Sequence, residues 1–198
     1  LSFGTSNYYV TAGLSKTGYG PFLCDGLALN DSTYHSANLL FNVTREKWSY
    51  ASSFEVLGAT ANNPFSYEYN ESGKFLAFHV LKYNLNKYID VSYYENIIFG
   101  PNFNFAYIFP VPYMPVQNIG GANDNLQMGL MFNIKPIKGF DWATDIFVDD
   151  FSVNDVVKLN FDSKIRVAGQ TGFIYSPSTS ACTRLALNYQ MVLPYVYS

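Results

Sequence analysis

The chain has 198 residues and a formal net charge of −3, from twelve Lys and Arg against fifteen Asp and Glu. This length suits one domain with a substantial core, and the charge leaves no basic patch large enough to hold nucleic acid. No apolar run approaches the roughly 18 residues that a membrane-spanning helix needs, so a helical membrane protein is excluded. A β protein in a membrane remains allowed, and only 14% of the residues are charged.

Alternation of apolar and polar residues predicts the secondary structure. In the clearest window, Leu126 to Lys135, all five even-numbered positions are apolar, against one of the five between them. The period is therefore two, which is typical of a strand with two unlike faces. The same pattern predicts nine strands over residues 8–14, 37–44, 48–58, 75–85, 88–98, 126–135, 140–149, 165–176 and 182–191. Most of them have the length of about 9 to 11 residues that crosses a bilayer.

Long and short connections alternate between these predicted strands. The long ones cover residues 15–36, 59–73, 99–124 and 150–164, and the short ones cover residues 45–47, 86–87, 136–139 and 177–181. The long loops carry a net charge of −5 and the short turns carry +3. Short turns at one rim and long outward loops at the other are typical of outer-membrane barrels.

The sequence therefore predicts an all-β fold, an antiparallel transmembrane β-barrel of outer-membrane type, with residues 1–198 in a single domain. Bacterial single-chain barrels use even strand numbers, whereas about nine strands are predicted here. This odd number indicates that the chain is an incomplete portion of a larger barrel. Unpaired strand edges in lipid would be costly, so we expect the missing strands in the whole protein.

Two features disagree with a simple barrel. Glu95 falls on the apolar face of its strand, so either it lies near a membrane interface or the predicted register is wrong. The segment 101–121 contains Pro110, Pro112 and Pro115 and cannot form a central strand. We expect this segment to be a long loop with one helical turn that packs into the barrel mouth.

Short segments in the same order across most of the chain resemble one known family. They are Asn7-Tyr8-Tyr9, Thr17 to Leu23, Asn123-Asp124-Asn125, Val148 to Phe151, and Asn188 with Tyr189 through Ser198. These segments resemble the Wzi-type capsule assembly proteins of Gram-negative outer membranes. The chain departs from the family pattern at Asn188, where the family tends to have an acidic residue, and at Met191, where a polar residue is expected.

The resemblance implies an outer-membrane β-barrel lectin that helps attach capsular or exopolysaccharide to the cell surface. Its partners would be this polysaccharide and outer-membrane lipid, with no cofactor and no catalytic activity. Sugar binding needs aromatic faces for the rings and carboxylates or amides for the hydroxyls. The long loops supply candidates of these kinds, namely Tyr19, Phe22, Asp25, Tyr67, Tyr69, Asp149 and Asp150.

Charged residues of both signs fall on the polar side of the predicted strands. They are Asp141, Asp145, Arg166 and Arg184. We expect them to form a lumen network with a structural role, in which Arg184 pairs with Asp145.

Other functions have less support from the residues. A porin-like channel is the first alternative. Segment 101–121 distinguishes it from the lectin, because this segment would block conduction if it folded into the lumen. A barrel hydrolase would need His35 or His79 beside a nucleophile, and no spacing indicates that. A soluble lipocalin-like binder is the remaining alternative.

Metal and disulfide sites have little support as well. Asp150 begins a calcium-loop spacing, but Asp155 stands where that loop needs Gly. Cys24 and Cys182 are too few for a disulfide framework or a zinc cluster, and no metal is expected.

Overall fold

The computed structural model describes residues 1–22, 26–57, 73–100, 102–117, 124–149, 166–177, 184–194 and 196. These residues form one sheet of ten antiparallel strands, in which spatial order follows chain order. The strands are β1 (Ser2–Gly4), β2 (Tyr8–Ser15), β3 (Ser36–Thr44), β4 (Trp48–Leu57), β5 (Lys74–Asn84), β6 (Ile89–Phe99), β7 (Asn125–Ile134), β8 (Phe140–Asp149), β9 (Val167–Tyr175) and β10 (Leu185–Val192). The all-β, antiparallel prediction is confirmed.

All nine predicted strands are present, with ends within three residues of the expected positions. The predicted number is wrong, because β1 adds a tenth strand that pairs with β2. Three residues ending in Gly4 are too short to show an alternating pattern. Among the described residues the number of strands is therefore even, so the odd number on which the expectation of missing strands rested is not observed there. Within the described part of the chain the sheet is not closed, since β1 and β10 each pair on one side only.

The register gives the sheet two chemically different faces. The apolar face carries residues such as Leu39, Phe54, Ile97, Leu130 and Ile146. The polar face carries their neighbours along each strand, such as Asn38, Ser53, Asn96, Gln127 and Asp145, which are all buried. The predicted assignment of Leu130 and Asn133 to opposite faces agrees with this register.

Strand β5 is the exception, because five consecutive residues from Leu76 to Val80 are buried. A strand that is buried on both sides must be covered on both sides. The described part of the β2–β3 loop, residues 16–22 and 26–35, lies against the polar face, where Leu27 and Leu29 join Leu76 and Phe78 in one core cluster.

A second segment covers the apolar face. This cover segment, residues 102–117, contains two short 3-10 turns, Phe105–Ile108 and Met114–Val116. Its Tyr107 and Tyr113 pack in one core cluster with Ile97, Phe99 and Leu126 of the apolar face. The prediction that it enters the barrel mouth is therefore wrong: its buried groups are aromatic rings, which match the apolar face. No helix in the described residues is long and apolar enough to span a membrane.

Candidate functional sites on the two faces of the sheet

The cover segment hides a charged group on the apolar face. Glu95 is 1% exposed and its carboxylate accepts three hydrogen bonds. The backbone N–H of Tyr113 donates at 2.6 Å, and the ring Nε2 of His79 lies 3.0 Å from the same oxygen. The hydroxyl of Tyr93 donates to the other oxygen at 2.6 Å. Glu95 therefore lies in a polar pocket that two strands and the cover segment build together.

The β5–β6 hairpin sets this geometry. In its tight turn the side chain of Asn86 accepts the N–H groups of Tyr88 and Ile89, at 2.8 and 3.0 Å. Such a turn fixes the register of the strands that it joins. The register places His79 directly opposite Glu95. The predicted face of Glu95 is thus right, and its burial beneath the cover segment explains why an acid is tolerated there.

Tyr113 closes this pocket from above. Its ring stacks on that of His79, with centroids 4.2 Å apart, and its hydroxyl donates to the backbone carbonyl of Tyr107 at 3.1 Å. Burial raises the pKa of the Tyr113 phenol, and the negative charge of the Glu95 carboxylate raises it further. The phenol therefore stays protonated and remains a donor.

The polar face has its own buried acid at the entrance of the β2–β3 loop. Glu55 is buried and accepts hydrogen bonds from the hydroxyls of Thr17, Ser36 and Ser53, at 2.6, 2.8 and 3.0 Å. Thr17 and Ser36 lie at the two ends of the loop, so one carboxylate ties both ends to β4. This arrangement holds the loop against the polar face.

Tyr19 is the predicted sugar-binding residue that the structure brings into the centre of this face. Its ring packs 5.3 Å from Phe78 and 5.7 Å from Tyr94, measured between centroids. Burial raises the pKa of Tyr19 to about 12, although a hydrogen bond with Ser92 acts in the opposite direction. The Tyr94 hydroxyl in turn donates to both carboxylate oxygens of Asp145, at 2.9 and 3.0 Å.

A groove of about 550 Å³ lies between the β2–β3 loop and strands β2 to β5. Hydroxyl, amide, ammonium and aromatic groups line it, including Tyr9, Tyr19, Asn38, Asn42, Ser49 and Lys82. Lys82 also pairs with Asp90 at 3.2 Å. Apart from Tyr19, these groups were not predicted as a site, because they come from five parts of the chain. The one indication in the sequence was that the strand residues among them occupy the polar positions of the alternating pattern.

The other predicted sugar-binding residues are dispersed. Phe22 lines a separate cavity of about 200 Å³ together with Asp141 and Asn188. Asp149 is buried at the end of β8, opposite Gln127 of β7. The predictions for Asp25, Tyr67, Tyr69 and Asp150 lie outside the described residues.

The predicted lumen network is not a single cluster. Asp141 lies 3.8 Å from Lys135, whereas Asp145 is bound to Tyr94 as described above. The expected pair of Arg184 with Asp145 is wrong. Arg184 is exposed and precedes β10 near one end of the sheet, whereas Asp145 lies in the middle of β8. Arg166 is partly buried and its carbonyl accepts the N–H of Asp149.

No family model, no curated protein and no solved structure matches the chain. No group of three or more His, Cys, Asp or Glu among the described residues is arranged to hold a metal ion. The calcium-like spacing from Asp150, together with Cys24 and Cys182, falls outside those residues. Of the two histidines, His35 is exposed and His79 is buried among other side chains.

Proposed function

We propose that the sheet is part of the wall of an outer-membrane β-barrel in a Gram-negative-type bacterium, with its apolar face toward lipid. The supporting observation is that every strand except β9 exposes at least one large apolar side chain on that face. These include Phe3, Leu14, Leu39, Val56, Leu81, Tyr93, Leu130, Ile146 and Leu187. Soluble monomers rarely expose apolar patches beyond about 300–600 Å², and a larger patch indicates a partner or a membrane.

The cover segment also suits an apolar surrounding. Three of its phenylalanines are exposed, namely Phe103, Phe105 and Phe109. Proline removes the N–H group at positions 110, 112 and 115. Hydrogen bonds satisfy the N–H groups of Val111, Tyr113, Val116 and Gln117. Irregular backbone is tolerated near hydrocarbon only when such groups are satisfied within the protein.

On the polar face, we propose that the groove beside Tyr19 holds a segment of capsular or exopolysaccharide at the cell surface. Asn38, Asn42 and Ser49 offer donors and acceptors for sugar hydroxyls, and the tyrosines offer aromatic faces. This lectin-like role agrees with what the resemblance to Wzi-type proteins implies. It needs no cofactor and no chemical step.

Retention of polysaccharide on cells tests this function. The full-length protein is depleted in its host, and polysaccharide is measured on cells, in the medium and in total. Release into the medium with unchanged total synthesis is the expected result. Unchanged retention on depleted cells would contradict the anchoring role.

A pair of asparagine variants locates the binding site. Asn42→Ala removes an amide from the groove, so we expect about tenfold weaker binding of the purified protein to the host polysaccharide, the loss of about one good hydrogen bond. Asn7→Ala removes an exposed amide from the turn between β1 and β2 and serves as the control. Equal affinities of the two variants would place binding elsewhere.

A porin-like diffusion channel is the second candidate, because a hydrogen-bonded polar face also suits a water-filled lumen. Segment 101–121 was expected to distinguish a channel from a lectin by blocking the lumen. The β2–β3 loop takes this role instead, because it is the loop that lies on the polar face. A channel should show single-channel conductance in a planar bilayer that rises when the loop is shortened. A lectin that is filled by its loop should show little conductance before or after that change.

A further inference from the structure

Three polar side chains lie side by side on the apolar face of three adjacent strands. Ser52 of β4 is paired with His79 of β5, and His79 is paired with Glu95 of β6. Directly opposed residues on one face of an antiparallel pair have Cβ atoms about 4.5–5.5 Å apart. A hydroxyl, an imidazole and a carboxylate thus form one row across an otherwise apolar surface.

The imidazole of His79 is held with one nitrogen available. Its Nε2 faces the carboxylate of Glu95, which has only acceptors, so Nε2 carries the proton. The other nitrogen, Nδ1, then has a free lone pair. This Nδ1 is buried, as is His79 as a whole, and it has no hydrogen-bond partner among the described residues, the neighbouring Ser52 included. A buried acceptor without a partner is costly and calls for an explanation, and a catalytic role is one that its two polar neighbours in the row supply.

Ser52 lies at the margin of the covered region. On one side it is opposite His79, beneath Tyr113, and on the other it is opposite Phe41, which is 40% exposed. Tyr50 precedes Ser52 by two residues on the same face, and its buried hydroxyl is close enough to the Ser52 side chain to interact with it. The Tyr50 ring lies 6.0 Å from that of His79, between centroids.

We propose that Ser52, His79 and Glu95 form a serine esterase site for carboxylic esters with an apolar acyl chain. Glu95 orients the imidazole, His79 Nδ1 is the general base, and Ser52 Oγ is the nucleophile, which turns toward Nδ1 when substrate binds. The open apolar surface beyond Ser52, which includes Phe41, selects the acyl chain. Ser52 also borders the groove of the polar face, but the imidazole, the carboxylate and the acyl-chain surface lie on the opposite face, so this activity is distinct from sugar binding.

The reaction proceeds in two balanced steps. Ser52 Oγ attacks the ester carbonyl carbon while its proton moves to His79 Nδ1, and the Tyr50 hydroxyl donates to the developing oxyanion. The alcohol leaves with the proton from Nδ1, and the acyl group stays on Ser52. Water then attacks this acyl-serine and gives its proton to Nδ1. The carboxylic acid leaves and the proton returns to Ser52 Oγ.

The test uses the purified full chain in detergent micelles. Hydrolysis of p-nitrophenyl esters is measured for acyl chains from acetate to palmitate, and a fluorophosphonate probe labels the nucleophile for peptide mass spectrometry. We expect hydrolysis that increases with chain length, with the label on Ser52. Ser52→Ala should lower kcat at least about 1000-fold, since removing a nucleophile of this kind leaves only binding and oxyanion contributions.

Ser6→Ala is the matched control, because Ser6 is an exposed serine in the turn between β1 and β2. Its kcat and labelling should equal those of the wild type. His79→Gln should also abolish labelling, and its circular dichroism and denaturation midpoint reveal whether it still folds. Ser52→Ala keeps the buried His79–Glu95 pair, so its fold should be unchanged.

A folded wild type that neither hydrolyses these esters nor reacts with the probe would overturn the proposal. Labelling of another serine, or full hydrolysis by Ser52→Ala, would overturn it equally. The His79–Glu95 pair would then serve only to hold the cover segment. None of these outcomes affects polysaccharide retention, which is measured separately.

Discussion

The β2–β3 loop and the cover segment cover strands β5 and β6 from opposite sides. Each of them covers residues that are unusual for its face of the sheet. On the polar face, the β2–β3 loop brings Leu27 and Leu29 onto Leu76 and Phe78, which are apolar exceptions on that face. On the apolar face, the cover segment brings a backbone N–H to Glu95, a charged exception. The β2–β3 loop therefore supplies apolar side chains to a polar face, and the cover segment supplies a hydrogen-bond donor to an apolar face.

This difference shows why the irregularities cluster on β5 and β6. A strand covered on one side alternates strictly, whereas one covered on both sides is buried at every position. An apolar residue on the polar face or a charge on the apolar face becomes tolerable where a loop lies above it. The exceptions thus mark the places where the two loops dock.

The largest effect should come from removing the charged exception. Glu95→Ala leaves the Tyr113 N–H, the Tyr93 hydroxyl and His79 without their shared acceptor, and should lower the free energy of unfolding by about 3–5 kcal/mol. Guanidinium titration in micelles measures the loss. Asp141→Ala is the control, because Asp141 is half exposed and its ion pair with Lys135 is long, at 3.8 Å; it should cost less than about 1 kcal/mol. Similar losses would mean that the cover segment does not depend on Glu95.

The two faces themselves are compared by one substitution on each. Leu130→Arg puts a charge on the exposed apolar face and should cost about 2–4 kcal/mol when the protein is folded into lipid vesicles. Asn133→Arg puts the same charge on the polar face, where Asp90 already bonds Asn133 at 3.3 Å, and should cost much less. Equal costs in vesicles would contradict the lipid-facing assignment.

Packing on the polar face is tested at a glycine. A Cβ added at Gly129 would collide with the ring of Tyr94, which itself binds Asp145. Gly129→Ala should therefore cost about 1–3 kcal/mol through forced displacement. A Cβ at Gly13 meets no atom within 4 Å, so Gly13→Ala should change the unfolding free energy by less than about 0.5 kcal/mol. A neutral Gly129→Ala would show that Tyr94 is not fixed.

The smallest effect is expected where a predicted ion pair is absent. Arg184→Ala removes an exposed side chain and should change stability by less than about 0.5 kcal/mol. Tyr94→Phe is the contrasting variant, because it takes both hydrogen bonds from buried Asp145 and should cost about 1–3 kcal/mol. Thermal denaturation at constant pH compares them. A larger loss for Arg184→Ala would restore a role for that arginine in the polar-face network.

The strands could be predicted because each depends on its own residues. Alternation in windows such as 126–135 needs no knowledge of a partner strand, and it gave the faces correctly. The burial of β5 on both sides was also readable, since Phe75 to Leu81 is nearly continuously apolar. Strand β1 was not predicted, because its three residues are too few to show an alternating pattern.

The row of Ser52, His79 and Glu95 depends on register, which single windows do not contain. His79 and Glu95 lie at equal distances from the turn between β5 and β6, so hairpin counting would have paired them. Ser52 reaches His79 across a long connection, whose length does not fix register. The cover segment was unpredictable for a further reason, since its three prolines exclude a strand and do not indicate which face it covers.

The order of the sheet also has a kinetic consequence. Every strand pairs only with the strands before and after it in the chain, so each pairing closes one connection and the sheet can grow hairpin by hairpin. Closing one connection costs less chain entropy than joining distant parts of the chain. The β2–β3 loop is different, since its Ala28 carbonyl accepts from the Asn96 side chain 68 residues away. We therefore expect this loop to reach its place only after β6 has joined the sheet.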